Sequence, residues 1–253
     1  MNKGLVLVAL CAVGASASSD NIAYVGRKVN GAWYHAVVAN LDSDNVKVSG
    51  LVNQKVGKAE PIWQMIGRSQ PDVAISGTFF DTRSKRPIGT IVIEGENKVD
   101  GFHGSCLAVD HFNQAAILDP RWGRKFDMSL YRFVVRGGVR LLTGGELTVY
   151  PKAQKFKDPR VFSPARRIAV GVTKSNKIVF VGTNASVTLS GLAKAMNELG
   201  VRDGIALDGG GSAAMYYRGK MLMSPNRGMT NLLTLSQAPN AAWKPLPLSS
   251  GGK

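Results

Sequence analysis

The sequence predicts an α+β protein of mixed, mostly antiparallel β-sheets with few helices and with its functional residues on strand-end loops. Three observations lead there. Short apolar segments alternate with clusters of Gly, Asn, Asp and Pro along nearly the whole chain, the pattern of strands and tight turns. Only one stretch carries a sustained helical period. No repeat or linker divides the 253 residues, of which 44% are hydrophobic, 19% charged and 29 are Gly, so the chain is globular and large enough for one sizeable core.

The N-terminus reads as a cleavable secretory signal over residues 1–17. Met1-Asn2-Lys3 is a positive start, Leu5 to Val13 is an apolar stretch too short to span a bilayer, and Ala15-Ser16-Ala17 is a small-residue cleavage site, leaving Ser18 as the first mature residue. Export to the periplasm or the extracellular space is therefore expected. Of the two Cys, Cys11 leaves with the signal and Cys106 stands alone, so no intrachain disulfide can form. A single domain is expected over 18–237, followed by a mobile Pro- and Ser-rich tail over 238–253.

Short strands are predicted at 21–25, 33–39 and 46–49, then a short helix over 61–68 and a strand at 73–76. Residues 89–99 read as a hairpin turning near Gly95, and 107–110 with 115–119 as a strand pair. The stretch from Arg132 to Leu142 reads as a strand running into Gly137-Gly138 and on into a second apolar run. Pro151 to Pro164, rich in Lys and without helical period, is expected to be a long basic loop, either a lid or a disordered excursion. Strands follow at 166–172 and 178–181, meeting at a Ser175-Asn176 turn. The helix runs from Thr188 to Leu199: Leu189, Leu192, Ala193, Met196 and Leu199 recur at helical spacing, Thr188 is a suitable N-cap and Gly200 a suitable C-terminal stop.

That helix leads to the stretch around which the chain is organised, an apolar run ending in Asp208, then Gly209, Gly210, Gly211 and Ser212, then a second apolar run. Consecutive glycines let main-chain N–H groups converge on an anion at close range, with Asp208 at the mouth of the cradle. A sharp hairpin with a capping Asp is the alternative. A second carboxylate, Asp81, follows Ser76-Gly77-Thr78-Phe79-Phe80 and precedes a loop bearing Arg83, Lys85 and Arg86, which is either a piece of a site or a plain strand end. His103, Cys106 and His111 complete no recognised ligand spacing, and neither metal nor cofactor is expected.

Lys and Arg number 32 against 17 Asp and Glu, a net charge of +15. Such an excess attracts anions, among them phosphate-bearing envelope polymers. The basic residues are scattered, with no block of five and little aromatic interleaving, which disfavours nucleic acid as a partner.

Four motifs in order over roughly residues 70–235 resemble the phosphodiester glycosidase family. The LDGGGS signature stands intact at Leu207 to Ser212. An Asn-Gly-x-Phe-Phe turn is represented by Ser76 to Phe80, with Ser76 in place of the Asn. An Arg-x-Ala-x-Gly strand is similar to Arg167 to Gly171, and an Arg-x-x-x-Asn segment to Arg227 to Asn231. The resemblance implies hydrolysis of a sugar-1-phosphodiester, with an N-acetylhexosamine-1-phosphodiester as model substrate, releasing free sugar and a phosphomonoester. It further implies roles. Arg167 and Arg227 would clamp the phosphate, the N–H groups of Gly209 to Ser212 would complete the anion site, and Ser76, Gly77, Thr78, Phe80 and Asn231 would contact substrate. Asp208 would stabilise the cationic sugar or activate a water, with Asp81 as the second carboxylate. Two other functions remain open: a phosphodiesterase cleaving at phosphorus, and a non-catalytic basic module that binds phosphate-bearing polymers.

Overall fold

A computed structural model describes residues 20–55, 57–121 and 127–237. The predicted signal and tail lie outside the described residues. In chain order come β1 (Ile22–Val29), β2 (Ala32–Asn40), β3 (Val46–Val52), α1 (Ile62–Ser69), β4 (Val73–Ser76), β5 (Gly89–Ile93), β6 (Glu96–Phe102), β7 (Ser105–Asp110), β8 (Ala115–Leu118), β9 (Tyr131–Thr143) and β10 (Glu146–Leu147). There follow α2 (Pro159–Phe162), β11 (Ala165–Val172), β12 (Lys177–Val187), α3 (Leu189–Glu198), β13 (Asp203–Ala206), β14 (Met215–Tyr217), β15 (Lys220–Met223) and β16 (Asn231–Gln237). The expected α+β class holds, with antiparallel sheets and few helices.

The strands form an eleven-stranded sheet and a five-stranded one. The larger runs β1-β2-β12-β11-β13-β9-β5-β6, with β7, β8 and β10 joining through β9. The smaller runs β15-β14-β4-β16-β3. Their facing sides pack together through Val37, Ile168, Phe180 and Ile205 from the large sheet and Val48, Ile75 and Leu233 from the small one. Helix α3 covers the other side of the large sheet with Leu192, Ala193 and Met196, and α1 covers the outside of the small sheet with Ile62, Met65 and Ile66. Each strand is thus apolar on its buried face, as the alternating pattern requires.

Local chemistry sets the boundaries. Thr188 caps α3, its hydroxyl accepting from Gly191 N at 3.0 Å, and Gly200 ends it at φ +79. The β5–β6 hairpin turns through Glu94 and Gly95, both at positive φ. Cys106, on β7, is fully buried, and burial pushes its thiol up to about 12, so it behaves as a core residue.

Two open readings are resolved here. The double glycine at 137–138 lies inside one strand, because β9 runs unbroken for 13 residues and is the point where the large sheet forks. Its first half lies between β5 and β7, and its second half pairs with β13. Glycine is required for close approach: a methyl on Gly137, itself at φ +116, would overlap the Thr78 hydroxyl, and one on Gly138 would overlap Ile205. The 151–164 stretch is no disordered excursion. Phe156 and Val161 anchor it in the core beneath α3, and Asp158-Pro159 starts the single turn of α2 as N-cap and N1.

Candidate active site

Strand β13 belongs to the large sheet and β14 to the small one, so the segment between them crosses the seam rather than closing a hairpin. Leu207 is buried on the large-sheet side, with its N–H donating to Ile168 O at 2.9 Å. The next N–H, of Asp208, donates to Gly77 O at 3.0 Å, on the loop leaving β4. The two loops are thereby laced at the residue that carries the acid.

Each glycine that follows has its own reason. Gly209 passes so close to Arg166 O that a methyl would lie 2.7 Å from it. Gly210 sits at φ +57 and opens one turn of 3-10 helix through Ser212. A methyl on Gly211 would lie 2.9 Å from an Arg227 guanidinium nitrogen. The Ser212 N–H closes the turn onto Gly209 O at 3.1 Å, while the N–H groups of Gly210 and Gly211 meet no backbone acceptor among the described residues. Of the four N–H groups expected to face an anion, Ser212's is therefore engaged internally and two are open.

Asp208 is only partly exposed. Burial pushes its carboxyl up to about 6, against the opposing pull of the Ser212 hydroxyl, Arg227, the Gly209 N–H and Arg160. Ser212 Oγ lies against the carboxylate yet makes no well-formed hydrogen bond, and Thr78 Oγ1 is likewise buried without a partner. An unsatisfied buried hydroxyl, that of Ser212, beside a carboxylate of raised pKa marks a place for a ligand.

Ser76, Gly77, Thr78 and Asn231 hold the site together from beneath. Ser76 Oγ donates to Ser212 O at 2.6 Å and accepts from Ala214 N at 2.8 Å, fully buried. Asn231 accepts from Thr78 N at 2.7 Å and donates to Thr78 O at 3.1 Å, completing a paired bridge between the β4 loop and β16. Ser76 and Asn231 are thus braces of the loops, where substrate contacts are expected from the resemblance. Ser76→Ala leaves the Ala214 N–H and Ser212 O without this partner in a dry interior, so a loss of about 1–3 kcal/mol is expected in urea unfolding, with kcat falling as the Gly turn loosens. An unchanged unfolding midpoint would remove the bracing role.

The two predicted clamping arginines part company. Arg227 is exposed, carries no ion pair among the described residues, lies over the Phe80 ring at 6.0 Å, and acts on Asp208 through its charge. Arg167 is buried, and its guanidinium donates to the carbonyls of Val187 at 3.3 Å, Val161 at 3.1 Å and Ser163. It ties the α2 segment to the sheet. The second cation near Asp208 is Arg160, from the first turn of α2, which no sequence pattern had singled out. The Asp158-Pro159 pair is the signal that could have found it, since an N-cap Asp followed by Pro fixes where the next side chain starts.

Asp81 shares no hydrogen bond or electrostatic interaction with Asp208 among the described contacts. It is exposed, and its Oδ1 accepts from Arg83 N at 3.1 Å and Ser84 N at 2.6 Å, closing its own turn. Those bonds, Ser84's first, hold its carboxyl below the usual range. A carboxylate that caps a polar loop after a strand is the simpler of the two readings the sequence allowed.

The description phosphodiester glycosidase belongs to the family model that matches residues 69–237. No curated protein matches the chain. Among solved structures, the chain is similar in fold to a hypothetical protein from Synechocystis, with TM-score 0.74 and 12% identity over 85% of this chain and 61% of that one. It is also similar to the zebrafish N-acetylglucosamine-1-phosphodiester alpha-N-acetylglucosaminidase catalytic domain auto-inhibited by its pro-peptide, with TM-score 0.69 and 19% identity over 86% of this chain and 83% of that one. A third, from Burkholderia pseudomallei K96243 and described as exported, has TM-score 0.64 and 13% identity over 81% and 74%. At these identities the structures speak for the fold, and the family model, spanning more than half of the chain, speaks for descent. The chain belongs to the phosphodiester glycosidase family, a family of hydrolases.

Proposed function

We propose that the chain is an exported enzyme that hydrolyses a sugar-1-phosphodiester in an envelope glycan or polysaccharide, with an N-acetylhexosamine-1-phosphodiester as model substrate. The observation that carries this reading is the raised carboxyl of Asp208 at the sheet seam, facing Arg227 and the unsatisfied buried hydroxyl of Ser212. Arg227 and the open N–H groups of Gly210 and Gly211 receive the phosphate, and Asp208 faces the anomeric carbon. A phosphate leaves readily as an anion, so its departure needs charge stabilisation more than a proton donor. One carboxylate is then sufficient to support the cationic sugar or to activate water, which fits Asp81 being engaged elsewhere. Arg167 contributes by fastening the segment that carries Arg160.

The location of the bond cleaved tests the reading. Hydrolysis of an N-acetylhexosamine-1-phosphodiester in oxygen-18 water is expected to place the label on the sugar. Label on phosphate identifies a phosphodiesterase, and salt-sensitive binding without turnover identifies a non-catalytic module. Export is supported by the description of the Burkholderia relative and by the apolar N-terminal stretch. It is tested by N-terminal sequencing of the protein recovered from the envelope, where Ser18 is the expected first residue.

A pH profile checks the electrostatics. Working as a carboxylate, Asp208 gives a kcat/KM that rises about tenfold per pH unit below about 6 and flattens above it. Arg160 favours the ionised form, so Arg160→Gln is expected to move that limb to higher pH. Because Arg160 is exposed, the displacement should shrink as salt is raised from about 20 mM to 500 mM. A limb that stays in place at low salt would show that Arg160 does not act on Asp208.

A further inference from the structure

A cavity of about 400 Å³ lies between the start of β7, the end of β8 and residues 148–155. At its base is a closed polar network. Gln154 accepts from Arg140 N at 2.9 Å and donates to Ser105 Oγ at 2.8 Å, and Ser105 donates to Asp119 Oδ1 at 2.5 Å. Asp119 Oδ2 lies 3.3 Å from Arg140, which completes the ring. The Asp119 carboxylate is thus held in one orientation while its side chain stays 56% exposed. Tyr150, 67% exposed, stands at the wall with Pro120 and the hydrogen-bonded hydroxyls of Thr143 and Thr148.

The charge balance of this cavity differs from that of the Asp208 site. Arg140, its most buried cation, has no free donor direction for an anion: it donates to Leu142 O, Thr143 Oγ1 and Ile117 O and pairs with Asp203 at 2.6 Å. Facing the opening are the Asp119 carboxylate, which accepts hydroxyl protons from neighbouring ring positions, and Lys155 in the wall, two opposite charges that offset each other. An amphipathic aromatic wall beside a fixed acceptor, in a pocket at the lower end of the ligand-binding range, suits a neutral polyhydroxylated ring.

A relay of packed aromatic rings leads from the cavity toward the reaction site. Gly104, in its wall, follows His103, whose ring lies 4.9 Å from that of Phe156, and Phe156 lies 5.9 Å from Phe79. Phe79 precedes the Phe80 that carries Arg227. Along β9, Arg140 is three residues beyond the Gly137 that packs on Thr78, about 10 Å at strand spacing.

We propose that this cavity is a subsite for a neutral pyranose unit of a longer glycan whose phosphodiester lies at Asp208. The proposal rests on the phosphodiester reading, but its test separates the two. In the first arm, the isotopically labelled mature protein is titrated with neutral trisaccharides of glucose, galactose, mannose and N-acetylglucosamine, followed by NMR. Signals of Tyr150, Gln154 and Asp119 are expected to shift with at least one of them, and Tyr150→Ala to weaken that binding about tenfold or more. In the second arm, kcat/KM is compared for a single-sugar phosphodiester and for the same phosphodiester carrying a trisaccharide. The preference for the longer substrate is expected to fall at least tenfold in Tyr150→Ala and in Asp119→Asn. Tyr150 is exposed and makes no buried bond, so its variant reports even where Asp119→Asn disturbs folding.

No shift with any neutral trisaccharide overturns the proposal, as does binding at the cavity by anionic sugars alone. Binding with an unchanged substrate preference overturns it too, since the cavity would then not serve this reaction. Absence of turnover on both phosphodiesters sinks the phosphodiester reading and, with it, the cavity's place as a subsite of that reaction.

Discussion

Asp208→Asn is expected to lower kcat by about a thousandfold or more while raising the melting temperature at pH 8. The amide keeps the shape of the carboxyl and its acceptor oxygen, so the lacing of the two loops survives, but it cannot carry the negative charge the reaction needs. The gain in stability follows from the pKa. An Asp that ionises at 3.8 when free and at about 6 in the fold costs the folded state about 3 kcal/mol once ionised. The sign is that of a raised acid: no cost below pH 3.8, a cost growing as pH rises toward about 6, and a constant one above. The variant carries none of it. Residual solvation of a partly exposed group reduces the effect, leaving a difference on the order of 5 °C at pH 8 that vanishes near pH 4. Melting curves of both proteins at the two pH values, with parallel kinetics, check it. Normal turnover would end the assignment of Asp208, and an equal melting difference at both pH values would show that its charge is not the cause. A site that is costly to ionise and gains stability when disabled is what a carboxylate held for function looks like.

Gly77→Ala carries the largest expected structural penalty at the site. The added methyl would overlap the side-chain amide of Asn231, which is buried and bonded to Thr78 on both sides, so relief requires breaking that bridge or moving β16. Overpacking together with a stranded buried amide is expected to cost about 3–5 kcal/mol. Activity falls with it, because the same residue's carbonyl holds the Asp208 backbone. Gly210→Ala is the informative comparison: nothing crowds that position, and only its left-handed backbone resists, at about 1–2 kcal/mol. Urea unfolding of the two variants should rank them in that order, and the reverse ranking would show that the Asn231 bridge yields easily.

The strands were legible because burial on alternate residues leaves a period-two trace, and α3 because its caps and apolar spacing agree. What failed was what depends on a neighbour distant in sequence. Nothing local explains Gly137 and Gly138, which serve Thr78 and Ile205, residues 59 and 67 positions away. Arg167 and Arg227 look equally fit for phosphate, and only the fold shows one turned to three carbonyls and the other to open space. Ser76 and Asn231 belong to family motifs, but motif membership does not distinguish a residue that touches a ligand from one that holds the loop that does. The glycines after Asp208 were legible as a place of close backbone approach, and Gly209 and Gly211 make one, against Arg166 and Arg227.

Strand β16, the last one described, does not lie at an edge. It is threaded between β3 and β4, and its first residue supplies the Asn231 bridge. During synthesis on the ribosome, the two strands it joins are made some 150 to 180 residues earlier, and β3 has no other partner strand until it arrives. Any nascent product lacking residues 231–237 therefore lacks the strand that joins β3 to β4 and the bridge that holds the Thr78 loop.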